Sequence, residues 1–313
     1  MNPLIVTGLA SYLPKNMVDN RHLPQLEPPL AIEEMDAVGV LCRGRASAEE
    51  DVATMAVSAA QRALAEAKVE ASELDFLIFA NWTERRFVPD FAPRLQHALG
   101  ARKAVAFDIC CACSGFIQGL GIAHAFLQQP RYRTGAIVTA DHSAAHMRPR
   151  SRATLLFGDA AAAAVVTRGD SVGMRLLDYE VRTDGSHHGI MEIDEDGYLL
   201  PHIRQRDLNL LAGRSMAEVS SAVLERAGRT IQDIDWVVPH SGSAGVQGML
   251  REHLGVTADR ILTTLPFQGN LAAASIPCSL RHFLDAGPLE KGHVVLATAV
   301  GLGWQYSAML LEL

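Results

Sequence analysis

The sequence has no excess of basic residues. Lys and Arg number 28 against 35 Asp and Glu, which gives a formal net charge of −7, and basic residues occur at most as scattered pairs. Because a nucleic-acid surface needs clustered positive charge, this balance argues against a nucleic-acid partner. Charged residues make up only 20% of the 313 residues and hydrophobic residues 49%. This composition argues against disorder and predicts a globular protein with a large core.

Signals for secretion are also missing. Met1, Asn2 and Pro3 provide no positively charged start, and the apolar stretch that follows is interrupted at Gly8 and Pro14. We therefore expect no signal peptide. The cysteines number five, which is odd, and we expect a cytoplasmic protein whose thiols stay reduced.

One uncharged stretch is long enough to test as a membrane span. Residues 293–311 contain no Asp, Glu, Lys or Arg, and about 20 apolar residues can cross a bilayer as a helix. Gly301, Gly303 and Gln305 interrupt this stretch, β-branched residues precede them, and polar and apolar residues alternate after them. The pattern predicts two strands joined by a glycine turn, and no span.

The chain repeats itself at about half its length. Residues 63–81, ALAEAKVEASELDFLIFAN, resemble residues 223–241, VLERAGRTIQDIDWVVPHS, and two shorter matches follow in the same order. Any α/β protein alternates Ala-rich helices with Val-rich strands, but three ordered matches indicate a duplicated α/β unit. We therefore predict two halves, residues 1–167 and residues 168–313.

The stretch FDICCACSGF places a cysteine where a strand gives way to a helix. VAFDI reads as a short apolar strand, and helical spacing runs from Ser114 until Pro130. Cys113 lies at the junction, where unpaired N–H groups and the helix dipole favour a thiolate. Gly115 and Gly119 would let this helix pack closely against other backbone. Because ligands gather beyond the carboxyl ends of strands in α/β sheets, Cys113 is a candidate nucleophile.

The remaining cysteines have plainer interpretations. Cys42, Cys110, Cys111 and Cys278 are predicted to be small buried hydrophobic residues. A zinc site is disfavoured because C-C-x-C has no second pair. Cys110 and Cys113 have the spacing of a redox pair, but the sequence around them lacks a thioredoxin-like context.

Two further polar groups follow strands of the second half. His240 ends the apolar strand VVPH and precedes the flexible SGSAG, and Asn270 lies in PFQGNLAAASIP. A duplicated fold would bring this imidazole and carboxamide to the same crevice as Cys113. By contrast, His142 and His146 have the spacing of a metal pair, but Ser143 stands where a metalloprotease signature has Glu.

Taken together, several motifs resemble those of the β-ketoacyl-acyl-carrier-protein synthase III family. They are FDICCACSGF, RSRATLLFGDAAAAAVV, DWVVPH, GNLAAASIPCSL and VGLGWQYSAMLLEL, in this order, and the likeness extends from GLASYLP to the last residue. The resemblance implies a thiolase-like fold, a duplicated α/β/α/β/α arrangement of five layers. It also implies a homodimer and thioester substrates of acyl carrier protein or coenzyme A, with no cofactor and no metal.

The resemblance assigns roles to individual residues. Cys113 matches the family nucleophile, and His240 and Asn270 match its active-site imidazole and carboxamide. Gly303 matches the glycine whose N–H joins that of Cys113 in an oxyanion hole. In this family the acyl group moves onto the cysteine, and a malonyl thioester then loses carbon dioxide and attacks it. An Asn at 270, where Asp would repel an enolate, favours carbon–carbon bond formation.

Departures from the family pattern concern substrate binding. Arg152 matches a family arginine, and Gly213 and Ser243 are further candidate substrate-binding residues, although Ser243 stands where the family often has Asn. Gly245 replaces a basic residue that docks the carrier. Glu33 or Glu34 falls near the position of a nucleotide-binding Trp. We therefore expect the acyl donor to arrive on a carrier more readily than on free coenzyme A.

The loop NWTERRFVPDF suggests an altered primer pocket. Phe87 matches a family residue that crosses the dimer interface, and Glu84, Arg85 and Arg86 replace small uncharged residues. These charges either face solvent or bind a polar acyl group, and the second alternative would indicate a specialised pathway. Rival functions stay open at this point: acyl transfer to an alcohol or amine without decarboxylation, thioester hydrolysis, or a non-catalytic subunit of a heterodimer.

Overall fold

The structure is a computed structural model that describes residues 2–22, 26–27, 29, 38–84 and 88–313. The strands of this part of the chain are β1 (Leu4–Tyr12), β2 (Asn16–Asp19), β3 (Cys42–Arg45), β4 (Phe76–Ala80), β5 (Val105–Ile109), β6 (Thr134–Asp141), β7 (Ala160–Arg168), β8 (Met174–Thr183), β9 (Met191–Ile193), β10 (Leu199–Pro201), β11 (Trp236–Pro239), β12 (Val294–Gly301) and β13 (Gln305–Glu312). The α-helices are α1 (Val52–Ala67), α2 (Ala92–Leu99), α3 (Gly115–Leu127), α4 (Gln205–Arg226), α5 (Ala244–Leu254), α6 (Leu265–Gln268) and α7 (Ser275–Ala286).

Nine of the described strands form one sheet, in the order β11-β12-β13-β8-β1-β7-β6-β4-β5. Its two halves repeat each other. β1 pairs antiparallel with β7 as β8 does with β13, β7 pairs antiparallel with β6 as β13 does with β12, and β6 pairs parallel with β4 as β12 does with β11. A short antiparallel pairing of β1 with β8 joins the halves. The duplication predicted from sequence is therefore visible in the strand order.

The matched aspartates of the two repeats make the same contacts. The carboxylate of Asp75 accepts a hydrogen bond from the N–H of Thr134 at 3.1 Å, and that of Asp235 accepts one from Val294 at 2.7 Å. Each aspartate N–H also donates to the carbonyl of the same partner at 2.9 Å. Each carboxylate thus fixes the start of the strand next to its own. This shared function explains why the repeat is readable at these positions.

The helices form three layers around the two halves of the sheet. Phe116, Ile117 and Leu120 of α3 and Ile276 and Leu280 of α7 share one buried cluster with strands of both halves. Helices α1 and α2 pack with strands of the first half, and α4 and α5 with strands of the second. This arrangement is the five-layer α/β/α/β/α fold expected from the sequence. The candidate site forms near the ends of the two central helices, α3 and α7.

The uncharged stretch near the end of the chain forms β12 and β13. The strands pair antiparallel from Val294 opposite Glu312 to Gly301 opposite Gln305, as the glycine turn predicted. No helix of the described residues is both long and apolar enough to cross a membrane. The predicted division between residues 167 and 168 falls at the end of β7.

Candidate active site

Cys113 lies where the first half of the sheet meets the central helix layer. Strand β5 covers the predicted VAFDI, a 3-10 turn spans Ala112–Ser114, and α3 begins at the next residue. A methyl group on Gly115 would come within 2.9 Å of the Ala80 Cβ, and one on Gly119 within 2.8 Å of Ile137. Both glycines therefore permit the close packing that the sequence predicted for this helix. The Cys113 side chain is left half-buried.

His240 follows β11 and is buried, with 4% of its surface exposed. Its N–H donates to the carbonyl oxygen of Thr298 at 2.8 Å, which holds the backbone against β12. A methyl group added to Gly242 would come within 3.1 Å of the His240 Nε2. Position 242 therefore requires a glycine both for this space and for its φ of +50°. Among the described residues the imidazole Nδ1 has no hydrogen-bond partner.

Asn270 lies in the turn between α6 and α7 and is also buried. Its backbone N–H donates to Leu156 at 2.8 Å, and its carbonyl accepts from Gly158 at 3.0 Å. The side-chain Oδ1 accepts a hydrogen bond from the N–H of Ala272 at 2.9 Å. Because a backbone N–H can only donate, this contact identifies the oxygen of the carboxamide. The NH2 group is then the donor that the side chain can offer to a ligand.

The three side chains line one cavity of about 460 Å3. Cys113 comes from the first half of the chain, and His240 and Asn270 come from the second half. The convergence of a thiol, an imidazole and a carboxamide, predicted from the repeat, is thus present in the structure. Such a set can accept an acyl group and donate hydrogen bonds to an oxyanion.

The electrostatics of Cys113 differ from the sequence prediction. Burial, and then the negative charge of Asp141, raise the pKa of the Cys113 thiol to about 12. The expectation that the helix end would favour a thiolate is therefore not met, because burial of the sulfur outweighs the modest dipole effect. Burial also lowers the pKa of His240 to about 4. At pH 7 the pair is a neutral thiol and a neutral imidazole.

Asp141 is a charged residue that acts on the Cys113 thiol and that sequence reasoning missed. It ends β6, is fully buried, and accepts a hydrogen bond on Oδ1 from the N–H of Trp82 at 3.0 Å. Its Oδ2 has no partner among the described residues. Burial raises the pKa of this carboxyl to about 7. The only signal in the sequence was an acid ending an apolar strand, which is common at solvent-exposed strand ends.

Replacing Asp141 with asparagine will make Cys113 more reactive above pH 7. Below that pH the wild-type carboxyl is largely protonated and exerts little effect, whereas above it the charge disfavours the thiolate. Removing a neighbouring like charge typically shifts a pKa by about one unit, so iodoacetamide should alkylate Cys113 roughly tenfold faster at pH 8. Because Cys110 is also exposed, the rate must be read from the Cys113 peptide by mass spectrometry. Equal rates for both proteins at pH 8 would refute the electrostatic coupling.

The turn that contains Gly303, the predicted glycine of the oxyanion hole, lies next to Cys113. Gly303 is absent from the residues that line the cavity, whereas Gly301, Leu302 and Trp304 are among them. A methyl group on Gly301 would come within 3.1 Å of the Cys113 backbone nitrogen. This turn therefore passes directly beside the Cys113 N–H, and the role of the Gly303 N–H as an oxyanion donor stays a prediction.

The candidate substrate-binding residues separate into two groups. Arg152 and Ser243 line the cavity, whereas Glu84 and Gly213 are not among its lining residues. The Ser243 Oγ also caps α5 by accepting from the N–H of Val246 at 3.3 Å. Glu84 is half-buried and its N–H donates to Asn81 at 2.7 Å. Phe87, with Arg85 and Arg86, lies outside the described residues, as do Glu33 and Glu34.

Gly213, a predicted substrate-binding residue, packs closely against another helix in the structure. It lies in α4, where an added methyl group would come within 2.4 Å of the Met249 Cβ and 2.9 Å of the Leu250 nitrogen of α5. Replacing Gly213 with alanine will therefore force the two helices apart and lower the free energy of unfolding by about 1–3 kcal/mol. Urea denaturation measures this change. Alanine at Gly248, where an added methyl meets nothing, is the matched control, and equal losses in both variants would contradict the packing argument.

Most of the cavity wall is apolar and was not predicted. It includes Trp82, Leu156, Phe157, Met191, Leu199, Pro201, Ile203, Leu208, Ala212, Val246, Val300, Leu302 and Trp304. These residues come from six separate segments, and no local motif marks them as cavity residues. The cysteines outside the site follow the prediction in part. Cys111 and Cys278 are buried and Cys42 is half-buried, but Cys110 is exposed and not a core residue as expected.

Comparison with known proteins agrees with this geometry. The family profile described as 3-oxoacyl-[acyl-carrier-protein (ACP)] synthase III matches residues 107–185, and its C-terminal profile matches residues 224–313. The β-ketoacyl-[acyl-carrier-protein] synthase III of Aquifex aeolicus is 33% identical over 308 residues, with 98% of each chain covered.

Solved structures give the same result. The crystal structure of the Aquifex aeolicus enzyme superposes with a TM-score of 0.91 over 99% of this chain and 100% of the other. The priming β-ketosynthase of the R1128 polyketide pathway is 26% identical, with a TM-score of 0.90 over 99% of this chain and 96% of the other. The chain therefore belongs to the 3-oxoacyl-(acyl-carrier-protein) synthase III family and is a condensing acyltransferase.

Proposed function

We propose that the protein joins an acyl group carried on Cys113 to a malonyl-type thioester, with loss of carbon dioxide. The observation that carries this proposal is the single cavity shared by Cys113, His240 and Asn270. A thiol can hold the acyl group, and two uncharged donors can stabilise an enolate. The reaction needs no resident cofactor, because both substrates are activated as thioesters.

In the first step the Cys113 sulfur attacks the carbonyl carbon of the incoming thioester. Because the Cys113 thiol and the His240 imidazole are both neutral before the reaction, the thiol proton must leave as the sulfur attacks. It passes to His240 and then to the departing carrier thiol, so that one thioester bond forms and one breaks. The N–H of Cys113 and an N–H of the turn 301–303 are the proposed donors to the transient oxyanion.

In the second step a malonyl thioester occupies the same cavity. Its carboxylate leaves as carbon dioxide, and the bonding electrons form an enolate at the thioester. The low pKa of His240 keeps the imidazole neutral, so it donates a hydrogen bond to the enolate oxygen without protonating the carbon. Asn270 supplies the second donor through its NH2 group. The enolate carbon then attacks the acyl carbonyl, and Cys113 leaves as a thiolate that takes up one proton from solvent.

Arg152 supports binding of a phosphate-bearing carrier arm. Its side chain is exposed and lines the cavity, so a guanidinium stands where an anionic linker would enter. Gly245 also lines the cavity, and a methyl group there would come within 2.1 Å of the Asn209 amide. A larger residue at that position would have to displace the Asn209 side chain. We still propose carrier protein as the preferred acyl donor, although Gly245 replaces the basic docking residue.

The acyl group is proposed to be apolar. Apolar side chains make most of the wall, and Glu84, which the sequence suggested as a reader of a polar primer, is not part of it. We also propose that this acyl group is the primer of a specialised pathway, which the likeness to a priming synthase of a polyketide pathway supports.

A homodimer is proposed through the free edge of the sheet. β5 is the last strand at its end of the sheet order, and Val105 at its start is 49% exposed. The opposite edge strand, β11, has a further parallel bridge between Val237 and Ile261. Unprotected edge strands commonly pair with another copy. Sedimentation equilibrium would show the mass of one chain if this proposal were wrong.

One experiment tests the reaction. The protein is incubated with acetyl, straight-chain, branched, dicarboxylic and aromatic thioesters of carrier protein or coenzyme A, and the mass added at Cys113 is read from the intact protein. Labelled malonyl thioester is then added, and released carbon dioxide and the 3-oxoacyl product are measured. Acyl transfer to an alcohol or amine without carbon dioxide release would favour the rival activity. A marked preference for acetyl-coenzyme A would overturn both the carrier preference and the specialised primer.

A further inference from the structure

A small hairpin forms one wall of the cavity. We define the roof hairpin as residues 191–201, which comprise β9, a turn and β10. Among the described residues these two strands form a sheet with each other and with no other strand. A two-stranded ribbon is marginally stable by itself. Its inward side chains that line the cavity are Met191, Leu199 and Pro201.

The turn of the roof hairpin is closed by its own backbone. The N–H of Asp194 donates to the carbonyl of Tyr198 at 2.9 Å, and the N–H of Gly197 donates to Asp194 at 3.0 Å. The Asp194 Oδ1 accepts from the N–H of Tyr198 at 2.8 Å. These contacts form the turn without help from elsewhere. Side chains that reach this turn from outside therefore add contacts between the hairpin and the rest of the protein.

Arg148 reaches the turn from the segment that follows β6. Its Nη2 lies 2.6 Å from the Asp194 Oδ2 and 3.6 Å from the Asp196 Oδ2. Its guanidinium carbon also lies 5.0 Å from the centre of the Tyr198 ring. The guanidinium thus contacts three residues of one turn. It ties the tip of the roof hairpin to the first half of the protein.

His146 connects the same turn to the part of the cavity wall that contains Trp82, which we call the Trp82 wall. Its Nδ1 lies 2.8 Å from the carbonyl oxygen of Gly197, and its Nε2 lies 3.3 Å from that of Thr83. The imidazole ring is 5.1 Å from the ring of Trp82, which lines the cavity. One side chain thus contacts the tip of the roof and the Trp82 wall. A displacement of the hairpin would loosen both.

We infer that Arg148 and His146 hold the roof hairpin against the Trp82 wall, and we call these two residues the clasp. By holding the hairpin there, the clasp limits the size of the acyl group that Cys113 accepts. The inference rests on the proposed function and assigns positioning, not catalytic, roles, because neither residue lines the cavity. With the clasp intact, Met191, Leu199 and Trp82 enclose the acyl chain. Without the clasp, the roof hairpin separates from the Trp82 wall. Longer or branched acyl chains then have more room, and short acyl chains lose contacts.

The test compares Arg148→Ala with the wild-type protein. Loss of such an ion pair changes an equilibrium by about fivefold at most, so amides of residues 191–201 should exchange about three- to fivefold faster. The preferred chain length in the thioester panel should increase, with kcat/KM for the shortest accepted acyl group about three- to fivefold lower. This loss should appear in KM and not in kcat. Arg148→Lys retains the charge and should restore part of both effects.

Arg94→Ala is the matched control. Arg94 pairs with Asp51 at 3.5 Å on the outer surface and is as exposed as Arg148, so its loss should change neither hairpin exchange nor chain-length preference. Faster exchange with an unchanged chain-length profile would show that the clasp is only structural and would overturn the inference. Unchanged exchange would overturn it as well. If the wild-type protein takes up no acyl group from any thioester, the proposed function fails, and the exchange data still report whether the clasp exists.

Discussion

Replacing Cys113 with alanine will abolish acyl uptake and lower the rate of condensation by at least about a thousandfold, the scale of loss seen when a covalent nucleophile is removed. The reason is that the remaining groups, His240 and Asn270, can stabilise charge but cannot hold the acyl group. Intact-protein mass spectrometry after incubation with thioester should show no added mass. The substitution removes one sulfur atom from a half-buried site, so the fold should persist.

The matched control is Cys110→Ala. Cys110 lies three residues away, is exposed, and does not line the cavity. It should acylate and condense at the wild-type rate. If both variants still took up one acyl group, the nucleophile would have to be another residue, and the assignment of Cys113 would be wrong.

Replacing Asn270 with aspartate will separate the two steps of the reaction. An aspartate can keep the hydrogen bond that Oδ1 accepts from Ala272, so the local backbone should be unchanged. The second oxygen then replaces the NH2 donor and repels the developing enolate. Loss of one such donor slows the charged step by about 100- to 1000-fold. Carbon dioxide release from malonyl thioester should fall by that factor, while acylation of Cys113 continues.

Two measurements distinguish the effects of this substitution on the two steps. The mass added at Cys113 reports the first step, and labelled carbon dioxide reports the second. Gln61→Glu makes the same amide-to-acid change on the outer helix α1, and it should affect neither. A variant with aspartate at 270 that decarboxylates at the wild-type rate would show that the carboxamide is not an enolate donor.

The nucleophile and its two partners could be predicted because each has a local signal. Cys113 stands at a strand-to-helix junction, and β5 and α3 form where the apolar pattern indicated. His240 ends a short strand and meets a flexible turn. The repeat supplied the remaining information, because equivalent strand ends of two similar halves must meet at one crevice. The equivalent contacts of Asp75 and Asp235 show why the repeat stayed readable.

Other expectations failed for a common reason. Cys113 was expected to favour a thiolate from its helix end, but burial and Asp141 act in the opposite direction. The close packing of Gly213 in α4 against α5 was not expected either. Both outcomes depend on residues that are distant in sequence. A charge or a helix that only folding brings close to a residue produces no signal in the sequence next to that residue.

By itself, the sequence determined the duplicated α/β architecture, the family, and the identity of the thiol, imidazole and carboxamide that meet. These follow from periodicity and short motifs, which are local properties of the chain. Only the tertiary structure decided the protonation of that thiol, the apolar wall around it, and the clasp of His146 and Arg148 on the roof hairpin. Desolvation, cavity shape and ion pairing depend on which segments pack together, so they exist only once the chain has folded.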